Sequence, residues 1–386
     1  MQKFEFYSPV RVIFGAGEIQ RLGEESAKYG KNILLVKSEG PLEKLGVIKK
    51  AEDSLSDANL NILSLDNVAA NPKLSSVYEG IDICKKNKID LVVAIGGGSA
   101  IDCAKGIAIG ALDDGDVWDF YNVKRIPTEA LPIGAVSTIA ATGAEMSPHS
   151  VVTNSMTNQK NALHTELNLP KFAIIDPELH KTVPKYLTAC GMCDTITHAG
   201  ENYFAGDTGL VITDYFAAGV IRTVLDNEKI LDNLGDLAAR SELAWAATMG
   251  INGITDLGRG TFEYGAHIIE HSVSAHFDVI HGAGLSVIHP AWLSYRLDND
   301  DSPVRFVKFA KEIMGLDQGS MSDADFGRAG VDALKGKYKS WGLPTTLSEI
   351  NIGENDFDVI AETVINDPDT FIVKKEQVFD VLSRCK

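Results

Sequence analysis

The first half of the chain alternates short apolar runs with amphipathic stretches. Residues 18–29 and 42–56 carry apolar side chains at the three- and four-residue spacing of helices. The runs before, between and after them are five to eight residues long and rich in Val, Ile and Leu, which predicts strands: "RVIFG", "NILLV", "LNILSL", "DLVVAIGG", "LPIGAVST" and "FAIID". Strands that alternate with helices predict a mainly parallel, doubly wound sheet with helices on both faces.

The strand pattern ends near Pro184. Later segments carry apolar residues at helical spacing and end at Gly or Pro, as in "GLVITDYFAAGVIRTVLD", "LAARSELAWAATMGING" and "DADFGRAGVDALKGKYKSWG". We therefore predict an α/β domain with a Rossmann-like sheet over residues 1–183, followed by an all-α domain over residues 184–386.

The charge balance limits the kinds of partner. Acidic residues outnumber basic ones 53 to 36, and the net charge of −17 without a basic patch excludes nucleic acid and anionic membrane surfaces as partners. The start "MQKFEFYSPVRVIFG" lacks the apolar core of a signal peptide, and no apolar run reaches eighteen residues, so a cytoplasmic location is expected. Cys190 and Cys193 form an isolated CxxC pair that favours helix packing over a redox or zinc role.

Two glycine clusters are candidates for binding a nucleotide. Gly15-x-Gly17 lacks a third glycine and favours a plain turn into the first helix. The second cluster, Gly96-Gly97-Gly98-Ser99, follows a buried strand and leads directly into a helix. Bare backbone N–H groups and a helix N-terminus together bind pyrophosphate well, although a tight turn remains the alternative. Thr138 and Thr142 follow the next strand, at the edge where such sheets place ligands.

Histidines are concentrated in "AHIIEHSVSAHFDVIHGAGL", which contains His267, His271, His276 and His281. Upstream, Asp194 and His198 stand four residues apart and share one helix face. A carboxylate with several imidazoles suits Fe²⁺, Zn²⁺, Mn²⁺ or Co²⁺. The same stretch contains H-x-x-E-H, the inverted zinc-peptidase pattern, so a metallopeptidase is one alternative and a non-enzymatic metal- or nucleotide-binding module is another.

The motifs GGGSxxDxxK, "STIAATGAE", D-x-x-x-H, AHxxEH and "HGAGL" occur in this order over most of the chain. With these motifs the chain resembles the iron-containing (group III) alcohol dehydrogenase family, whose architecture is dehydroquinate synthase-like. The segment "DDGDVWDFY" resembles the butanol dehydrogenase and NADPH-dependent aldehyde reductase branch of this family. The resemblance implies hydride transfer between NAD(P)(H) and a small primary alcohol or aldehyde. This substrate would bind to one divalent metal, Fe²⁺ or Zn²⁺, in a cleft between the two domains. The resemblance also implies a homodimer. A polyol dehydrogenase of the glycerol dehydrogenase type is the alternative within the superfamily.

The resemblance also implies roles for individual residues. The metal ligands would be Asp194, His198, His267 and His281. The dinucleotide contacts would be Ser38, Gly97, Gly98, Ser99, Asp102, Thr138, Thr142, Lys160 and Leu179. His271 would serve as the catalytic proton-transfer group, His276 would have no role, and Glu270 would point away from the metal into an ion pair.

Ser38 stands where NAD-preferring relatives carry an aspartate that repels the 2′-phosphate of NADP, and Lys37 could attract that phosphate. NADP(H) is therefore expected to be favoured over NAD(H), unless Glu39 bonds the ribose instead. Substrate identity is beyond the sequence. Apolar side chains that could line a cleft for short aliphatic or aromatic aldehydes are Trp118, Phe120, Phe262 and Tyr264.

Overall fold

The computed structural model describes residues 3–206, 209–259, 264–299, 302–366 and 373–386. Its N-terminal part contains a six-stranded parallel sheet in the order β1-β8-β5-β4-β2-β3 and an antiparallel hairpin, β6-β7. The strands are β1 (Arg11–Phe14), β2 (Asn32–Ser38), β3 (Asn61–Val68), β4 (Leu91–Gly96), β5 (Ile133–Ser137), β6 (His149–Asn154), β7 (Gln159–His164) and β8 (Phe172–Ile175).

The helices of this part are α1 (Leu22–Ser26), α2 (Val47–Asp57), α3 (Leu74–Asn87), α4 (Gly98–Gly110), α5 (Trp118–Tyr121) and α6 (Pro177–His180). Separate apolar clusters cover the two faces of the sheet, and every residue of β4 and β5 is buried. A strand covered on both faces cannot alternate between apolar and polar side chains, which explains the continuous runs in the sequence. The predicted doubly wound parallel sheet is confirmed, and the six predicted strands all lie in it.

Two helices differ from the prediction. Residues 18–29 form a 3₁₀ turn, Glu18–Arg21, followed by the short α1. The helix expected from residue 42 begins only at Val47, because Gly46 before it adopts a left-handed conformation with φ of 73°.

The hairpin β6-β7 was not predicted. One of its faces carries His149, Lys160 and His164 as well as Val151 and Ala162, and this face lines a cleft. Polar side chains on that face remove the apolar alternation by which a strand is recognised in a sequence.

The remaining helices form the C-terminal part around a single apolar core. They are α7 (Lys185–Phe204), α8 (Val211–Asp226), α9 (Leu237–Ile251), α10 (Gly265–Phe277), α11 (His281–Asn299), α12 (Val304–Lys308), α13 (Asp323–Ser340), α14 (Phe357–Ile365) and α15 (Lys375–Arg384). Short 3₁₀ turns and one π-helical turn, Phe309–Ile313, join some of them. Within the described residues, every strand lies before Asp176, so the predicted all-α half is confirmed there.

We propose that the two domains divide near residue 183. The buried guanidinium of Arg240 in α9 donates to the carbonyl oxygen of Val183 at 3.1 Å and to Thr188 Oγ1 at 2.9 Å. This fixes the start of α7 to the helical core at the point where the chain leaves the α/β part.

Cys190 and Cys193 are buried in α7, as the packing interpretation predicted. All five cysteines are free and buried, and burial raises the pKa of the Cys190 thiol to about 12, which removes the thiolate needed for redox or zinc chemistry. Among the described residues, no helix is both long and apolar enough to cross a membrane.

Candidate active site

A cluster of metal-ligating side chains lies where three helices of the C-terminal part meet. Asp194 and His198 come from α7, His267 comes from α10, and His281 begins α11. Asp194 Oδ1 lies 3.5 Å from His198 Nδ1, 3.6 Å from His267 Nε2 and 3.7 Å from His281 Nε2. The four predicted ligands therefore lie together, with the three histidines around one carboxylate oxygen of Asp194.

Three of the atoms that face one another in this cluster have no hydrogen-bond partner among the described residues. Asp194 Oδ1, His198 Nδ1 and His267 Nε2 are buried and unsatisfied within the described part of the chain. Burying such groups without a partner costs about 1–3 kcal/mol each. A divalent ion would accept all of them as ligands, and a set of one carboxylate oxygen and imidazole nitrogens fits Fe²⁺ or Zn²⁺.

The other ring nitrogen of two of these histidines is held by a buried carboxylate. His267 Nδ1 hydrogen-bonds to Glu201, and His281 Nδ1 hydrogen-bonds to Glu270. This arrangement orients each ring and leaves its Nε2 facing Asp194, as metal-ligating histidines require. Burial alone would lower the pKa of His267, but the carboxylates of Glu201 and Asp194 raise it to about 9, so these two carboxylates favour a positive charge at this position.

Sequence reasoning missed Glu201, although a signal exists. Asp194, His198 and Glu201 follow one another at four and three residues, the spacing of a single helix face. Glu201 Oε1 also accepts the backbone N–H of Ala266 at 2.7 Å, which fixes the start of α10 against α7.

Glu270 forms an ion pair with Lys160, as the resemblance implied that it would form one. Its side chain is fully buried, and Lys160 Nζ lies 3.7 Å from Glu270 Oε2. The inverted peptidase pattern needs a glutamate that activates water on a metal held by His267 and His271. Glu270 is instead bonded by His281 and Ser274, so the arrangement does not support a peptidase.

His271 and His276 lie in different surroundings. His271 lines the cleft next to the metal cluster, with its ring centre 5.5 Å from that of His281. Burial and then the charge of Lys160 lower the pKa of His271 well below its ordinary value, so its imidazole is neutral. His276 is on the outer side of α10, where Nε2 pairs with Thr363 Oγ1 at 2.8 Å.

The glycine loop faces the metal cluster across a cleft of about 450 Å³. The loop follows β4, and α4 begins at Gly98. A Cβ atom at Gly98 would lie 2.5 Å from Thr142 Oγ1, so only glycine allows these two segments to approach so closely. No side chain among the described residues caps this helix N-terminus, whose backbone N–H groups are of the kind that binds anions.

The cleft contains most of the predicted site residues. Those that line it are Gly98, Ser99, Asp102, Thr142, Lys160, His198, His267, His271 and His281. Lining residues that the sequence reasoning did not single out include Asn71, His149 and His164. Asn71 had a recognisable signal, because it closely follows β3 at the carboxyl edge of the sheet.

Other predicted cofactor contacts lie outside the cleft lining. Leu179 is packed in the apolar core under the sheet. Thr138 is buried beside the glycine loop, with its N–H donating to the carbonyl of Gly96 at 3.0 Å. Ser38 also adjoins this loop, since a Cβ atom at Gly96 would lie 2.0 Å from Ser38 Oγ.

The neighbours of Ser38 are already engaged. Lys37 Nζ lies 2.7 Å from Asp66 Oδ1 and 3.5 Å from Glu52 Oε1, and the side chain is buried. Glu39 Oε1 accepts the N–H of Ala70 at 3.0 Å. The ammonium predicted to attract a 2′-phosphate is thus neutralised by two carboxylates.

The predicted apolar lining is only partly observed. Tyr264 lines the cleft, whereas Trp118 and Phe120 are buried in the core beside the sheet. Phe262 lies outside the described residues.

Comparison with known proteins gives concordant matches over nearly the whole chain. A family model described as iron-containing alcohol dehydrogenase matches residues 9–177, and one described as Fe-containing alcohol dehydrogenase family, C-terminal, matches residues 188–384. NADH-dependent butanol dehydrogenase A of Clostridium acetobutylicum is 37% identical, with 95% of this chain and 93% of that protein covered. The NADPH-dependent aldehyde reductase YqhD of Escherichia coli is 28% identical, with 91% and 90% covered.

A solved structure is similar throughout. The crystal structure of NADH-dependent butanol dehydrogenase A from Thermotoga maritima superposes with a TM-score of 0.95 at 36% identity and covers 100% of this chain and 99% of that one.

Proposed function

The chain belongs to the iron-containing alcohol dehydrogenase family, and we propose that its cleft reduces small aldehydes and oxidises the corresponding primary alcohols with NAD(P)(H) and one divalent metal. The observation that carries this proposal is the set of buried, unpartnered ligand atoms on one wall of a cleft whose other wall is a glycine loop at a helix N-terminus. They match the two half-sites that hydride transfer to a carbonyl carbon needs, namely a fixed charge for the oxygen and a binding site for the dinucleotide.

We assign the metal to Asp194, His198, His267 and His281, whose atoms fit Fe²⁺ or Zn²⁺. Such an ion supplies Lewis-acid polarisation of a carbonyl oxygen. The protein would hold the ligands in place through Glu201 and Glu270, while His198, His267 and His281 face the cleft through which a substrate would reach the ion.

Aldehyde reduction consumes one hydride and one proton, and we assign the proton transfer to His271. Its ring lines the cleft beside His267 and His281. A neutral imidazole can accept a proton at one nitrogen while donating one from the other, so the group can pass a proton in either direction of the reaction.

The dinucleotide is assigned to the loop and its neighbours. Gly97, Gly98 and Ser99 would hold the pyrophosphate at the N-terminus of α4, while Asp102 and Lys160 line the cleft farther in and would bond ribose hydroxyls. Thr142 lines the same cleft and would contact the dinucleotide, whereas Thr138 lies beside the loop and Leu179 lies in the core under the sheet.

The choice between the two nucleotides depends on the end of β2. Ser38 offers no negative charge against a 2′-phosphate, which was the basis for expecting NADP(H) to be favoured. Lys37, however, is committed to Asp66 and Glu52, and the butanol dehydrogenase relative from Clostridium acetobutylicum is named as NADH-dependent. We therefore propose that NADPH is accepted but that NADH serves at least as well.

Ser38→Asp should raise the KM for NADPH at least about tenfold, equivalent to about 1.4 kcal/mol, and leave the KM for NADH within about twofold. The reason is that a carboxylate beside the glycine loop would repel the 2′-phosphate and bond the two ribose hydroxyls of NADH. Steady-state kinetics with both cofactors measures the change. As a control, Lys37→Ala should affect both cofactors alike, because its ammonium is already paired. An unchanged ratio in Ser38→Asp would mean that another group reads the ribose.

The function itself is tested by metal analysis combined with turnover. Purified enzyme should reduce butanal with NADH, lose at least about 99% of this activity when a chelator removes the metal, and recover it with Fe²⁺ or Zn²⁺, since Lewis-acid catalysis contributes several kcal/mol. Full activity in protein shown to be metal-free would refute the assignment. Faster oxidation of glycerol than of butanol would instead support the polyol dehydrogenase alternative.

We also propose a homodimer. β1 is an edge strand of the sheet, and the extended segment before it exposes about half of the side chains of Phe4, Phe6 and Tyr7. A second copy of the chain would cover these aromatic side chains, and sedimentation analysis would show a dimer.

A further inference from the structure

Glu270 connects the two halves of the cleft. One of its oxygens, Oε2, accepts the hydrogen bond from His281 Nδ1 and also lies 3.7 Å from Lys160 Nζ. Both side chains of the ion pair are buried, with exposed fractions of 5% for Lys160 and 0% for Glu270, so solvent does not screen the interaction. A metal-cluster histidine and a cleft-lining lysine on the nucleotide side thus share a single carboxylate oxygen.

The position of Lys160 is fixed from the α/β side. Its Nζ donates to Asn71 Oδ1 at 2.9 Å, and Asn71 Nδ2 in turn donates to Asp278 Oδ1 and to the carbonyl of Val279, each at 3.3 Å. Asp278 and Val279 form the turn between α10 and α11, the two helices that carry His267 and His281. The network therefore runs from the hairpin, through Asn71, to the metal-bearing helices.

The second carboxylate of the cluster provides a contrast. Glu201 holds His267 as Glu270 holds His281, but its remaining oxygen accepts the backbone N–H of Ala266. In the described part of the chain, the ion-pair contact of Glu201 is with His267, and no lysine or arginine is paired with it. Of the two carboxylates, Glu270 is the one in contact with a residue that we assign to the dinucleotide.

We propose that Glu270 is a positioning residue that couples dinucleotide binding to metal binding through Lys160 and His281. This inference rests on the proposed function, because it takes Lys160 to bond a ribose hydroxyl. When Lys160 donates to the ribose, less of its charge is directed at Glu270, and the carboxylate becomes a stronger acceptor for His281 Nδ1. A more strongly held Nδ1–H makes Nε2 a better metal ligand. NADH then tightens metal binding, and by reciprocity the metal tightens NADH binding by the same factor.

The test measures the dissociation constant of Co²⁺, followed by its visible absorption, in metal-free protein with and without saturating NADH. We expect NADH to tighten Co²⁺ binding about 5- to 150-fold in the wild-type protein, the usual range of coupling between sites. Glu201→Gln, the matched control, should weaken Co²⁺ binding about 10- to 100-fold yet keep the wild-type coupling factor. Glu270→Gln should weaken binding similarly and lose most of the coupling.

Equal coupling factors in Glu201→Gln and Glu270→Gln, or no coupling in the wild-type protein, would overturn the proposal. If circular dichroism shows that Glu270→Gln is not folded, the coupling factor of Lys160→Met is measured instead. The proposal requires this factor to fall below the wild-type value, and an unchanged factor would overturn the proposal. Turnover is measured separately with Co²⁺-loaded enzyme. Coupling without aldehyde reduction would refute the proposed function but not the proposed coupling. Aldehyde reduction without coupling would refute the proposed coupling but not the proposed function.

Discussion

We expect His267→Ala to lose its metal and to lower kcat/KM for aldehyde reduction by at least about 10³-fold, since a Lewis acid contributes several kcal/mol and each 1.4 kcal/mol is about tenfold. His267 Nε2 faces Asp194 Oδ1 at 3.6 Å, and its Nδ1 is held by Glu201. Alanine leaves a gap between the carboxylates of Asp194 and Glu201. A water molecule in this gap would be a weaker ligand for the metal than the imidazole. The sheet and its apolar clusters are remote from this change, so the fold should persist. Metal content by elemental analysis and a circular dichroism melt measure both effects.

His276→Ala is the control for this experiment. It removes an imidazole from the same helix, but one that pairs with Thr363 and does not line the cleft. Metal content and kcat/KM should stay within about twofold of wild type, as is usual for substitutions away from special sites. Similar behaviour of the two variants would show that the ligand assignment is wrong.

The second large effect is expected for His271→Ala, which should keep its metal but slow turnover by about 10²- to 10⁴-fold. His271 lines the cleft beside the cluster, whereas the unpartnered atoms of the cluster belong to Asp194, His198 and His267. Removing its imidazole therefore takes away proton transfer and leaves the ligands in place. Metal analysis, kcat and its pH profile distinguish the two roles.

His271→Gln distinguishes proton transfer by His271 from a role in packing or orientation. Glutamine keeps hydrogen-bonding capacity but cannot pass a proton, so it should be as slow as alanine if proton transfer is the role. Loss of metal from either variant would point to the alternative group of Glu270, His271 and His281, whose ligand atoms also lie within 4.8 Å of one another. Restored activity in the glutamine variant would indicate that His271 acts by packing or orientation.

Local sequence patterns predicted the six strands of the parallel sheet and the helical second half, but not the hairpin β6-β7 or the bounds of α1 and α2. Apolar runs rich in Val, Ile and Leu identified every strand of the parallel sheet. In β4 and β5 these runs are continuous, because a strand buried on both faces has apolar side chains on both. The four-residue spacing of Asp194 and His198 placed both on one face of α7, where they are found. The ordered motifs, read through the resemblance, identified the family that the comparisons show.

Tertiary structure decided how these groups act together. Gly282 lets α11 approach α7 so closely that a Cβ atom there would lie 2.2 Å from the carbonyl oxygen of Cys190, which brings His281 to the cluster. The pairing of Glu270 with Lys160 joins a residue of α10 to a residue of β7 and depends on the hairpin packing against α10. Periodicity reports burial along one element, whereas ligation, orientation by carboxylates and charge neutralisation of Lys37 depend on distances between elements, which only packing determines.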